Sequence, residues 1–197
     1  MGAALRTHNI NVEIMNEPLP GDLASPSAHF GPYGQRLFLA CKALSVAGGL
    51  LFVALVGMSI VSIVGRKLIS APVPGDVEVL QMVAAAASAS FFAYCHMNQG
   101  DVKVDFFTSK VSPRTVEFLD AFASALVGAF GGVLTWRVWV GAQSTLESQE
   151  TSAILGWPVG VAQLAMVPGF LLLALAGVYM AIWHFQQARA AERGDIA

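Results

Sequence analysis

Few side chains in this 197-residue sequence could do chemistry, and they fall into small sets. His96 and His184 could serve as a haem-ligating pair in a small b-type membrane cytochrome. The plainer reading is two interfacial histidines near helix ends, because a haem bundle presents its ligands from within, often with a second pair. The two cysteines, Cys41 and Cys95, lack CxxC spacing. A membrane thiol oxidase needs cysteines on the oxidising side; both fall on the opposite side in the topology argued below, and read as reduced, inert thiols. Arg66 and Glu78 flank a loop containing Pro72, Pro74 and Gly75, which the two charges could pin by pairing. The alternative is two solvated interface charges, whose pairing contributes little. The stretch 99–115, QGDVKVDFFTSKVSPRT, alternates Val102, Val104 and Phe106 with Lys103 and Asp105. It can lie extended on a surface, with Lys110 and Arg114 facing anionic headgroups and Pro113 in the first turn of the next helix.

The elements that must position these groups are membrane helices. Hydrophobic residues make up 55% of the chain and charged ones 12%, where soluble domains carry about 25% charged residues. Mean hydropathy is +0.62. A net charge of −2 provides no basic field to recruit nucleic acid. Residues 1–35 are polar and punctuated by Pro18, Pro20, Pro26 and Pro32. They lack the apolar core of a cleavable signal and read as a mobile tail; residues 187–197 form a second tail at the other end.

Charges mark the spans. Lys42 and Arg66 enclose 23 uncharged residues, and Glu78 and Asp101 enclose 22; about 20 suffice to cross a bilayer. The expected helices lie near 37–65, 77–97, 116–141 and 163–185. The third includes Asp120 and Arg137, both able to snorkel. The 38 uncharged residues from 151 to 188 are too many for one span, and Pro158 and Pro168 offer breaks, so residues 152–162 are expected to form an interfacial or re-entrant piece. The fold class is therefore all-α, integral to the membrane, with four transmembrane helices. Eight Lys and Arg (Arg6, Arg36, Lys42, Lys103, Lys110, Arg114, Arg189, Arg193) fall on the side of the termini, against Arg66, Lys67 and Arg137 on the other. The positive-inside rule then places both termini in the cytoplasm. Trp136, Trp139 and Trp157 fall near the outer interface, Tyr94 and Trp183 near the inner.

Two stretches are built for close helix contact. Residues 84–90 read Ala-Ala-Ala-Ala-Ser-Ala-Ser, and Ala121, Ala125, Gly128 and Gly132 form a seam containing a GxxxG match. In lipid, helices associate through such close backbone packing. The seams fit either a docking face for another protein or, as the simpler account, packing within the bundle. Transport-grade ionisable groups or unwound segments are not evident in the spans, which argues against a self-sufficient pump or carrier. A stand-alone channel, oligomeric through the Gly128 seam, stays open beside the cytochrome.

The order of these features resembles the small membrane subunit of the tripartite ATP-independent periplasmic (TRAP) transporters. In that family an arginine closes the first helix, as Arg66 does here, and acidic residues open the second, as Glu78 does. A Gly-x-His-hydrophobic-x-Val-Asp motif follows; here Val102, Val104 and Asp105 match, Asp101 stands in place of histidine, and Gly100 is offset by one. Glu150-Thr-Ser-Ala-Ile-Leu-Gly-Trp-Pro158 and Val167-Pro-Gly169 are similar to the family's pattern leading into the last helix. The likeness covers 36–185. It implies a non-enzymatic subunit of a secondary transporter in the bacterial inner membrane, importing an organic acid, often a carboxylate. The large membrane subunit would hold the substrate and sodium sites and move as an elevator, and a periplasmic substrate-binding protein would deliver the substrate. No cofactor is expected in this chain. By this resemblance Arg66, Glu78 and Asp105 carry structural or subunit-contact roles, Arg66 and Glu78 anchoring the outer end and Asp105 fixing the cytoplasmic loop; Gly128 and Gly132 join them as contact candidates.

Overall fold

A computed structural model describes residues 30–70, 73–100 and 113–192. Four helices follow one another: α1 (Pro32–Ile69), α2 (Asp76–Met97), α3 (Pro113–Glu147) and α4 (Val159–Glu192). All four are long and apolar enough to cross a membrane. The 22 residues of α2 rise about 33 Å, close to a hydrocarbon core of about 30 Å. The other helices, of 38, 35 and 34 residues, run well beyond that thickness. One end of the molecule carries the two connections 70–75 and 148–158, and the opposite end carries the starts of α1 and α3 and the ends of α2 and α4. These are called the two-loop end and the terminal end below.

The helices outrun the expected spans because charge ends a membrane span and not a helix. Arg36, Lys67 and Glu147 all lie inside helices, and Arg, Lys and Glu are good helix formers. The fourth helix starts at Val159, four residues earlier than expected, directly after Pro158. The stretch 151–158 forms a turn closed by an antiparallel bridge between Thr151 and Pro158. Pro168 sits within α4 and does not break it. A proline there removes one backbone donor, a loss that packed membrane helices tolerate.

The helices form an open row, α1–α2–α4–α3, in place of a closed four-helix bundle. α3 packs broadly on α4, α4 on α2, and α2 on α1, while α1 touches α4 only marginally. The chain order is thus not the spatial order, because α4 inserts between α2 and α3. Small residues make the close approaches. Gly48 of α1 faces Ala87 and Ser90 of α2, and Gly169 of α4 lies against the Ala89 carbonyl. The alanine run 84–90 therefore serves two neighbours at once, presenting Ala87 to α1 and Ala89 to α4.

Larger side chains gather toward the terminal end, where Phe30, Cys41, Met97, Phe170, Leu173 and Met180 belong to one buried cluster. Phe30, just ahead of α1, meets Tyr179 and Trp183 edge-on with ring centroids 5.5 and 5.6 Å away. Edge-to-face pairs of this kind are each worth about 0.5–1.5 kcal/mol beyond burial. The outer flank of α1 is apolar and open: Leu50 is 67% and Val53 71% exposed.

Candidate functional site

Two of the polar groups singled out by sequence, Arg66 and Glu78, lie at the two-loop end. Ser62 and Arg66 stand one turn apart on α1 and so share a face. Across from them, Asp76 opens α2 after Gly75, whose φ of +73° sits in the left-handed region that glycine adopts without strain. Asp76 Oδ2 accepts a short hydrogen bond from the buried Ser62 hydroxyl and lies 3.5 Å from Arg66 Nη2. Asp76 Oδ1 accepts from the Val77 N–H at 2.8 Å. An acid in the first turn of α2 and a base in the last turn of α1 each suit the local helix dipole. Arg66 thus pairs with Asp76 and not, as the sequence suggested, with Glu78.

Glu78 turns the other way. Its carboxylate oxygens accept from the backbone N–H groups of Ile154, at 2.9 Å, and Leu155, at 3.1 Å. Successive N–H groups in a turn form a concave anion site, and Glu78 fills it. The turn is held independently as well. Ser152 N–H donates to the Trp157 carbonyl at 2.8 Å and Val159 N–H to the Glu150 carbonyl at 3.1 Å. Leu155 closes over Gly75, where a Cβ would stand 2.5 Å from Leu155 Cγ. The result is a pinned turn that presents Ile154 and Trp157 outward, 66% and 53% exposed. Arg66 and Glu78 therefore both tie this end together, through different partners: one joins α1 to α2, the other joins α2 to the turn before α4.

The small-residue seam of α3 faces α4. A Cβ on Gly128 would lie 2.9 Å from the Val178 backbone N, and one on Gly131 would lie 2.8 Å from that of Ala174. Gly177 answers from α4, directly over Gly128. Gly132 has open space instead, and Ala125 is exposed. The buried stripe on α3 runs Ala121, Ser124, Gly128, Gly131, Ala142 and Thr145, so the contact row follows alternating steps of three and four, and the GxxxG pair does not act as a unit. Gly128 is an internal packing residue, and Gly132 is available on the outer face.

A pair missed at the level of sequence lies at the terminal end. His184 Nδ1 of α4 is 2.7 Å from Glu117 Oε2 of α3, with His184 only 4% exposed. The clue was present: Glu117 stands just inside the start of α3 and His184 two turns before the end of α4, and adjacent antiparallel helices bring such positions level. His96 is also buried near this end. Cys41 is in the core and Cys95 on the surface, and they form no disulfide. Among the described residues no group of three or more His, Cys, Asp or Glu could hold a metal ion. Asp105 and its motif fall outside the described residues.

These contacts are structural ones. Buried polar residues among those described are Ser62, Ser90, His96, Ser124, Thr145 and His184, with no Asp, Glu, Lys or Arg among them. That interior can hold helices together, but it offers no charged path across the membrane. Comparisons with curated proteins and with solved structures give no match. The family model described as "Tripartite ATP-independent periplasmic transporters, DctQ component" does match, over residues 42–187, which takes in α2 and α3 entirely and most of α1 and α4. The chain is a multi-pass membrane protein that belongs to the DctQ component family of TRAP transporters.

Proposed function

We propose that this chain is the small accessory and scaffold subunit of a TRAP-type secondary active transporter in the bacterial inner membrane. It works with a large membrane subunit and a periplasmic substrate-binding protein to import an organic acid of the carboxylate class. In this reading the large subunit carries the substrate and the coupling sodium ion, and the present chain braces its static part. Both termini, and with them the terminal end, face the cytoplasm; the pinned turn at 151–158 faces the periplasm.

The observation that carries the reading is the contrast between interior and exterior. The described interior is closed by small and apolar side chains, and no Asp, Glu, Lys or Arg is buried in it. Ion and substrate pathways need ionisable groups or unwound helices. Meanwhile the four helices stand in an open row with wide apolar faces, a shape suited to lying along a larger membrane protein. The test is co-purification from the native operon through a C-terminal tag in mild detergent. A much larger, very hydrophobic membrane protein should come with the chain in stoichiometric amount, and deleting the chain should abolish uptake. Recovery of the chain alone, folded, monodisperse and able to transport in liposomes, would overturn the proposal.

A further inference from the structure

A groove of about 400 Å³ runs between α2 and α4 beneath the pinned turn, within the size range of ligand pockets. Its wall changes character with depth. Near the two-loop end it is lined by Glu78, Gln81, Ser152, Ala162 and Gln163; deeper in the membrane it is lined by Ala85 together with Met82 and Met166. From Glu78 to Ala85 the groove descends about 10 Å along α2, from the membrane surface into its apolar layer. The small side chain of Ala162 leaves the mouth open and that of Ala85 the lower part.

The polar groups are aimed for an outside partner. Gln81 is exposed on a membrane helix, where an amide gains most from a partner able to accept its N–H groups. The Gln163 amide has one end committed, its Oε1 lying 3.3 Å from Thr145 Oγ1, so the other end is left to the groove. Glu78 accepts from the Ile154 and Leu155 N–H groups, with the Ser152 hydroxyl and the Ala153 N–H also drawn to it, so what it brings to the groove is chiefly its negative charge. The mouth of the groove therefore offers two amide donors beside a carboxylate, above an apolar slot.

We infer that this groove holds a single phospholipid of the leaflet at the two-loop end, with an amine-bearing headgroup. The ammonium group meets Glu78, ester or phosphate oxygens accept from Gln81 and Gln163, and one acyl chain follows the apolar slot past Ala85 and Met166. A headgroup with a net negative charge and no ammonium would face Glu78 unfavourably. The existence of this site does not depend on the function proposed above.

The test is native mass spectrometry of the purified full-length chain, stripped of lipid and titrated with phosphatidylethanolamine or phosphatidylglycerol in mild detergent. One phosphatidylethanolamine should bind per chain, with an affinity at least roughly fivefold above that of phosphatidylglycerol, the size of about one hydrogen bond. Ala162→Phe, which fills the slot at its mouth, should abolish the bound lipid, and Gln81→Leu should weaken it several-fold. Circular dichroism checks that each variant is folded, and Ala85→Val replaces Ala162→Phe if the latter is not. Equal binding of the two lipids, or full retention in the folded slot-filling variant, would overturn the inference. So would cross-linking of an Ala85→Cys variant to a helix of a co-purifying membrane protein, since that helix would then occupy the groove.

Discussion

Replacing Gly128 with alanine adds one methyl group at the tightest point of the α3–α4 contact. That Cβ would stand 2.9 Å from the Val178 backbone N, and ordinary contact begins near 3.4 Å. The obstacle is backbone, so no side chain can swing aside, and α3 must retreat by about 0.5 Å. A gap of 0.5–1 Å forfeits a quarter to a half of the dispersion attraction between facing atoms, and overpacking of this sort costs about 1–3 kcal/mol. Alanine regains up to about 1 kcal/mol in helix propensity, leaving a net loss of up to about 2 kcal/mol. Gly132→Ala meets open space, keeps the propensity gain, and should be neutral or stabilising by up to about 1 kcal/mol. Equilibrium unfolding of the full chain in mixed micelles with increasing dodecyl sulfate measures both. The reasoning fails if Gly132→Ala is the more damaging, or if both variants shift stability equally, as a GxxxG pair acting as one unit would require.

Three further outcomes follow from the contacts at the two ends. Glu78→Ala should free the 151–158 turn while leaving the helices intact, seen as faster reaction of an Ile154→Cys variant with a soluble thiol reagent; unchanged labelling would mean that the turn's own hydrogen bonds suffice. Glu117→Leu leaves His184 buried without its acceptor and should cost about 1–3 kcal/mol in the same unfolding assay, whereas Glu117→Gln, which still accepts, should recover most of it. A fluorescent-protein fusion at the C-terminus should fluoresce in cells and an alkaline phosphatase fusion there should be inactive; the reverse pattern would invert the proposed topology.

The four spans were legible because apolar length is a strong signal, although the helices run past the charges that were read as bounding them. What those charges do was less legible. Arg66 and Glu78 were singled out, yet Arg66 meets Asp76 and Glu78 meets main-chain N–H groups some 76 positions away. A backbone acceptor site has no sequence signature, since any residue can supply an N–H. Asp76, two positions from Glu78, could have been preferred as the partner of Arg66, because the first residue of α2 lies nearest the end of α1. Gly128 was found and Gly131 missed because a four-residue spacing was favoured where the antiparallel partner uses steps of three and four. Helix order in space was not legible at all: nothing in the hydropathy of α4 distinguishes an edge helix from a central one.

The position of α4 bears on how such a chain is made. Helices enter the membrane in the order of synthesis, so α1 and α2 can pair as soon as they emerge. α3 then arrives with its broad surface unmatched, since its neighbour is α4 and not α2. Until the last helix leaves the ribosome, the glycine seam of α3 faces lipid and one flank of α2 is bare. The final thirty-odd residues thus act as a keystone. Premature termination within them would strand two earlier helices at once and mark the product for quality-control proteases.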